Sequence, residues 1–274
     1  MKYIILICFV SLLSLQAKSQ ITSVKPKTVK SPKGMKFIPP GKCSYNGGEG
    51  LETKSIQGFW MSNEITNKEF REFYEDVKSN PDSSFSWYDI KNKNEDGSYK
   101  IVSIKYSEIL DKLIDVTVWK SIPEYENYFT DKVFDKYPVT GINYKSAMYY
   151  CWWKSKKENE KNKDKDFLVT YRLPLEIEWV YAAYSGTDEQ KNAQNSGLVL
   201  HKAKSGKANE YGLYNMYGNA NEFVSTNDAE TVRIIKYSEG STNPEKISET
   251  VDKTYSDNVT GFRIVRTYIN YKKK

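Results

Sequence analysis

Histidine and cysteine are the scarcest chemistry in this chain: one His and three Cys in 274 residues. A lone His builds no two-His or three-His metal centre. Three Cys, with Cys8 close to the N-terminus, build neither a disulfide framework nor a four-cysteine zinc site. Arginine is also sparse, five residues among 41 Lys+Arg. The net charge of +6 comes with both signs mixed, and much of the Lys lies in the tails and in the run Lys154 to Lys165. A nucleic-acid surface concentrates Lys with Arg on one face, so this pattern reads as a solvated basic surface with no nucleic-acid partner. What the chain has in quantity is aromatic residues, 14% with 22 Tyr and 6 Trp, within a hydrophobic content of 39%. That composition and length describe a folded domain with an ample core rather than a disordered chain.

Residues 1–19 read as a secretory signal peptide. Lys2 supplies the positive end, Ile4 to Leu15 the apolar run, and Ala17-Lys18-Ser19 a small-x-small cleavage site. The run is shorter than the about 20 apolar residues a membrane helix needs, and no later segment is long and apolar enough. Ile7 before Cys8 is not the small residue a lipobox requires, so the reading is an exported protein without a lipid anchor: periplasmic, cell-surface or secreted, where disulfides are permitted. Cleavage leaves a mature chain of about 255 residues with Cys43 and Cys151 and a charge of about +4. Whether those two pair stays open.

Residues 20–34 form a flexible Lys/Pro/Ser/Thr leader, 35–268 a single domain with an insertion at about 82–136, and 269–274 a basic tail. Strands are expected at Met35 to Pro40 and Ser55 to Glu64, around a turn at Asn46 to Gly50. Thr66-Asn67-Lys68-Glu69 is a capping box, followed by Phe70, Phe73, Tyr74 and Val77 on one helical face and a stop at Asn80-Pro81. In the insertion only a strand near Asp115 to Trp119 is legible. Further strands are expected at Pro138 to Ile142, Phe167 to Leu173 and Thr260 to Tyr268, and helices at Tyr144 to Lys156 and Pro174 to Tyr184. The Lys-rich run to Asp166 reads as a loop or frayed helix end, and Gly212 to Val224 as loop. Few helices and long loops give an irregular α+β class.

Three segments in order carry a resemblance: Tyr171-Arg172-Leu173-Pro174-Leu175-Glu176-Ile177-Glu178-Trp179, Gly212-Leu213-Tyr214-Asn215-Met216-Tyr217-Gly218-Asn219-Ala220-Asn221-Glu222-Phe223, and Gly261-Phe262-Arg263-Ile264-Val265-Arg266. Met35 to Gly41, Asn63 to Phe70 and Tyr137 to Tyr144 support them. Together they resemble the formylglycine-generating-enzyme, or sulfatase-modifying-factor, family, and the resemblance implies a loop-rich variant of the C-type-lectin-like fold. Within the insertion, Asp115 to Trp119, Asn127 to Thr130 and Val133 to Val139 resemble one branch, the gliding-motility-associated lipoproteins of the type IX secretion machinery. The missing lipobox departs from that branch.

The resemblance also implies a structural calcium ion on the Asn215 side chain, the Gly218 and Ala220 carbonyls and the Glu222 carboxylate. Such oxygens are the ligands calcium takes, and a turn of Gly and Asn with a solvated Glu222 is the bland alternative. Asn221 and Phe223 stand where the family usually has Trp. Leu175 stands where the family has a hydroxyl cap, a loss of about 1 kcal/mol. Glu176 and Glu178 are two residues apart on a helix and do not face each other; they read as ion pairs with Arg172 or Arg263 rather than an acid–base pair. Trp179, Tyr181 and Ala182 read as core.

The family's oxygen-dependent members use a late pair of Cys to bind copper. The matching stretch here, Arg233 to Asn258, has none. Its sulfoxide-synthase relatives use a His-rich iron site, and His201 is alone. Neither copper nor iron is therefore expected. Cys151 matches a position some relatives pair with a closing-strand Cys, where this chain has Ile264, so it reads as a buried thiol. No catalytic or cofactor-binding residues are assigned. The expectation is an exported, non-catalytic binding or scaffold protein, with envelope or secretion-machinery proteins as partners. An enzyme of the formylglycine-generating type with an atypical site and a carbohydrate-binding module are the alternatives.

Overall fold

The protein is described from a computed structural model, over residues 31–46, 51–93, 99–161, 167–184, 199–225, 232–236 and 248–270. The expected signal peptide, most of the expected leader, the Gly47 to Gly50 part of the expected turn, the end of the Lys-rich run and the end of the basic tail lie outside the described residues. Two four-stranded sheets form the frame. The first has the order β1 (Met35–Ile38), β4 (Phe59–Ser62), β12 (Val265–Asn270), β7 (Phe167–Arg172), antiparallel throughout. The second has the order β10 (Ser248–Val251), β9 (Val232–Ile235), β8 (Asn221–Ser225), β11 (Thr260–Gly261), with β11 parallel to β8. Two hairpins stand beside them: β2 (Gly41–Asn46) with β3 (Leu51–Ile56), and β5 (Ser84–Lys93) with β6 (Tyr99–Lys105).

Strand alternation splits the core in two. On β4, Trp60 packs into one cluster while Phe59 and Met61 enter the other; on the chain into β12, Ile264 and Val265 divide the same way. On the second sheet, Phe223 and Ile234 take the first side, Val224 and Ile235 the second. The first cluster gathers α1 (Asn67–Ser79), α2 (Tyr144–Lys161) and the insertion, and the second gathers α3 (Glu176–Ala183) and Cys43.

The capping box forms as read. Glu69 N–H donates to Thr66 Oγ1 at 3.3 Å and Thr66 N–H to Glu69 Oε2 at 2.9 Å, and Phe70, Phe73 and Val77 are buried. Helix α2 runs to Lys161 rather than fraying after Lys156. Ser155 and Asn159, one turn apart, face β7. Asn159 exchanges two 2.8 Å hydrogen bonds with the Val169 backbone, and Ser155 Oγ accepts from Tyr171 N–H at 2.8 Å. These side chains pair the outer edge of β7, which would otherwise invite another strand.

The expected strand at Asp115 to Trp119 is a 3₁₀ turn, Val116–Trp119, with Asp115 accepting from Thr117 N–H at 2.9 Å. An Asx-type cap overrides β-branched propensity here. Pro138 to Ile142 forms only an isolated bridge, Thr66 to Pro138. Ser55 to Glu64 is broken at Gln57-Gly58 into the end of β3 and β4, and the closing segment breaks between β11 and β12. Around the 3₁₀ segments the insertion is held by rings: Trp119 on Tyr128 at 5.3 Å, Tyr128 on Phe134 at 4.9 Å, Phe134 edge-on to Tyr137 at 5.4 Å.

Gly141 has φ +68°, and a Cβ there would sit 2.6 Å from the Trp119 ring and 2.9 Å from the Asp115 carbonyl. Both the left-handed backbone and the contact exclude a side chain. Gly141→Ala is expected to cost about 2–4 kcal/mol of unfolding free energy, read as a lower midpoint in urea denaturation; an unchanged midpoint would contradict the packing of Trp119 on this turn.

Candidate functional site

Glu222 lies at the start of β8 and turns inward. Its Oε2 accepts from the Trp179 indole of α3 at 2.7 Å and from Arg263 Nε at 2.6 Å, and its Oε1 accepts from Arg263 Nη2 at 2.6 Å. Arg263 sits between β11 and β12, and its remaining donors reach the Ser62 carbonyl at 3.3 Å and the Tyr214 carbonyl at 3.2 Å. Glu222 is 1% exposed and Arg263 0%. Burial alone would lower the Arg263 pKa, but the paired Glu222 carboxylate holds it above its ordinary value, so the guanidinium stays charged.

A second carboxyl, Glu64, enters from the turn between β4 and α1 and is equally buried. Its Oε2 accepts from Asn215 Nδ2 at 2.7 Å, Asn219 Nδ2 spans both oxygens at 3.0 Å, and Ala220 N–H reaches Oε1 at 3.2 Å. To aim these donors inward the loop takes left-handed backbone at Asn215 (φ 54°), Asn219 (φ 66°) and Gly218 (φ 124°), where Gly fits freely and Asn is tolerated. Tyr214 N–H is fixed on Asn63 Oδ1 at 2.8 Å, and His201 N–H on Asn219 Oδ1 at 2.7 Å. Burial pushes the Glu64 carboxyl up to about 8, Glu222 nearby adds to the rise, and Arg263 and the two Asn amides oppose it.

At the N-terminus of α3 the two carboxylates are spoken for separately. Glu178 holds Arg172 through two 2.6 Å bonds and accepts from Leu175 N–H at 2.8 Å, replacing the missing hydroxyl cap in part. Glu176 pairs with Arg233 at 2.8 Å. The reading of these residues as ion pairs holds for Arg172; Arg263 goes to Glu222 instead. Cys43 and Cys151 lie in different halves of the core, and no disulfide joins them.

A polar cleft of about 310 Å³ opens on another face, between the insertion, the 141–143 turn and the 254–256 turn. It is lined by Asp111, Asp115, Asn143, Thr254 and Ser256. Its walls are tied by Asp115 N–H to the Gly141 carbonyl at 2.6 Å and Gly141 N–H to the Asp257 carbonyl at 2.8 Å.

Residues 20–268 match the sulfatase-modifying factor enzyme 1-like domain. The chain belongs to the sulfatase-modifying factor family. Among solved structures it is similar to PvdO from Pseudomonas aeruginosa, at 17% identity and TM-score 0.55, covering 89% of this chain and 99% of that one. It is similar also to CarF, at 13% identity and TM-score 0.55, covering 86% and 99%. These likenesses bear on the fold. No curated protein matches the chain.

For this sulfatase-modifying factor domain the sequence put calcium on Asn215, Gly218, Ala220 and Glu222. The structure brings all four onto one loop beside the buried pair. The only carboxylate of the set has both oxygens engaged by Arg263, and Asn215 turns a donor towards Glu64. Sequence reasoning missed Glu64, Asn219 and Arg263 as the residues that organise this loop. The signal was present in Asn63-Glu64 and Gly261-Phe262-Arg263, which carried the family resemblance without a role.

The Glu64 shift gives a pH dependence with a definite sign. Its folded pKa lies above the ordinary 4.5, so its contribution to stability is full below that value and is lost as pH rises through about 8. Melting temperature is expected to fall between pH 6 and pH 9 in the wild type, with a flatter profile in Glu64→Gln. Parallel profiles would show that Glu64 does not titrate there.

Proposed function

We propose that this chain is an exported, non-catalytic member of the sulfatase-modifying factor family that acts as a binding or scaffold module in the cell envelope. One observation carries the reading. The thiols left after residue 8 are Cys43 and Cys151 alone, and both are buried in separate hydrophobic clusters. Cu(I) needs accessible soft thiolate ligands, and thiol exchange needs an accessible thiolate. The acidic residues that could serve acid–base chemistry on α3 and β8 are consumed in ion pairs that hold the frame. Among the described residues no helix is long and apolar enough to cross a membrane, which is compatible with an exported domain. The resemblance of the insertion to the gliding-motility branch supports envelope secretion-machinery proteins as partners.

The polar cleft is the recognition surface in this reading. Its lining of carboxylate, amide and hydroxyl groups, with Lys112 and Ile114 beside them, offers donors and acceptors for a hydroxyl-rich ligand, which favours carbohydrate binding as the second reading. Both readings leave Cys unmodified. Incubated with copper, oxygen and a Cys-containing sulfatase peptide, the purified protein is expected to yield no aldehyde by mass spectrometry; aldehyde formation would overturn the non-catalytic reading. Binding to immobilised glycans that is lost in Asp111→Asn, at an exposed lining residue, with an unchanged melting temperature would select the carbohydrate reading. Saturable binding to purified envelope proteins, without glycan binding, would select the scaffold.

A further inference from the structure

We propose that the 214–222 loop is an acceptor-binding cradle filled by the chain's own Glu64, and that Arg263 supplies the positive charge at Glu222, so that this loop folds without calcium. The inference stands apart from the proposed function and rests on the polarity of the loop.

A calcium site is a convergence of oxygens. Six to eight acceptors, several of them charged, point at one centre at about 2.3–2.6 Å. The loop here is wired the opposite way. Asn215, Asn219 and the Ala220 N–H all present donors, and all of them end on one carboxyl, Glu64. Its left-handed residues, Asn215, Gly218 and Asn219, bring two side-chain amides and one backbone N–H, that of Ala220, onto the same carboxyl. The occupant is built in and arrives from the β4–α1 turn, 151 residues away in sequence from its first partner.

The second half of the argument is charge. Glu222 would be the only formal negative charge in the expected ligand set. Arg263 engages both of its oxygens, and Trp179 adds a third donor. Arg263 is fixed in turn by the Ser62 and Tyr214 carbonyls, so it belongs to the frame and is not a solvated side chain that swings aside. A calcium ion at Glu222 would sit against a buried guanidinium, and the repulsion between two cations in a dry site is large. Tyr214, whose N–H and carbonyl are held by Asn63 and Arg263, ties the entry of the loop to the same two protein groups. Every anchor of the loop is therefore a hydrogen bond to this chain.

The test compares wild type with Asn215→Asp and Asn219→Asp, each of which swaps a donor for an acceptor while keeping a side chain that tolerates left-handed backbone. The cradle expects a wild-type melting temperature that is the same in excess EGTA and in millimolar calcium. It expects both variants to melt several degrees lower in EGTA, because each removes an amide donor that Glu64 accepts from. Asn219 is outside the calcium ligand set, so a calcium site expects Asn219→Asp to be silent. Terbium gives a readout independent of stability: Trp179 beside Glu222 would sensitise emission from a lanthanide bound there, and the cradle expects none. A calcium-dependent melting temperature in the wild type, saturable Trp-sensitised terbium emission, or an unchanged Asn219→Asp would each overturn the proposal.

Discussion

The buried pair of Glu222 and Arg263 is the constraint around which the rest of the domain is arranged. Glu222 opens β8 in one sheet, and Arg263 sits where the chain leaves that sheet at β11 and enters the other at β12. Its hydrogen bond to the Ser62 carbonyl reaches β4, and Ser62 itself exchanges bonds with Ile264, as Ser62 N–H to the Ile264 carbonyl at 2.9 Å and Ile264 N–H to Ser62 Oγ at 3.0 Å. One ion pair therefore fixes the two sheets against each other. Taking two charges out of water costs several kcal/mol each, and such a pair breaks even only when its remaining donors and acceptors are also satisfied. Here all three guanidinium nitrogens have partners. The pair is thus better understood as a specification of geometry than as a source of net stability, and losing one partner would leave an uncompensated buried charge.

Irregular chain around this clamp is stabilised by aromatic area rather than by ladders. The insertion from 106 to 136 is mostly 3₁₀ turns, which bring poorer hydrogen-bond geometry than α-helix. Trp119, Tyr128, Phe134 and Tyr137 compensate by burying large faces in edge and tilted contacts, each contact contributing about 0.5–1.5 kcal/mol beyond its area. The Tyr128 hydroxyl donates to the Pro138 carbonyl at 2.7 Å, and Asn67 Nδ2 to the Tyr128 and Phe134 carbonyls at 3.2 Å, while the buried Trp119 indole N–H finds no partner among the described residues. The high Tyr content seen in the sequence has this physical use, since a ring with a polar tip can pack a loop and cap its backbone at once.

What could be read ahead of the structure divides along sequence distance. The capping box at Thr66 and the Arg172–Glu178 pair involve residues three and six apart, and local rules reach that far. Helix α2 was read short because the Lys-rich stretch hides Ser155 and Asn159, whose purpose is visible only once β7 lies beside them. The turn at Val116–Trp119 reads as a strand because all four of its residues favour strands, while the deciding cap comes from one aspartate. The motif singles out Glu222 but not its neighbours in the fold, because Arg263 is 41 residues away and Glu64 comes from the other end of the chain. A motif names the residues that converge; it does not name the charge they converge on.

That distinction bears on how this family's fold separates from its chemistry. The Gly-Phe-Arg segment and the Asn-to-Glu loop look like markers of an active or metal-binding site when read along the chain. In three dimensions they are the two halves of the clamp, and Glu64 is the floor of the loop between them. In this chain those residues tie the two sheets together through Arg263, Glu222 and Ser62. A chain can therefore lose its thiol chemistry without disturbing its motifs. Matching motifs in this family then report a preserved clamp, and catalysis has to be judged from the positions the clamp does not use. In this chain the polar groups of the cleft between the insertion and the 254–256 turn lie outside the ion-paired frame, and Asp115, Asn143 and Thr254 there hold local hydrogen bonds of their own.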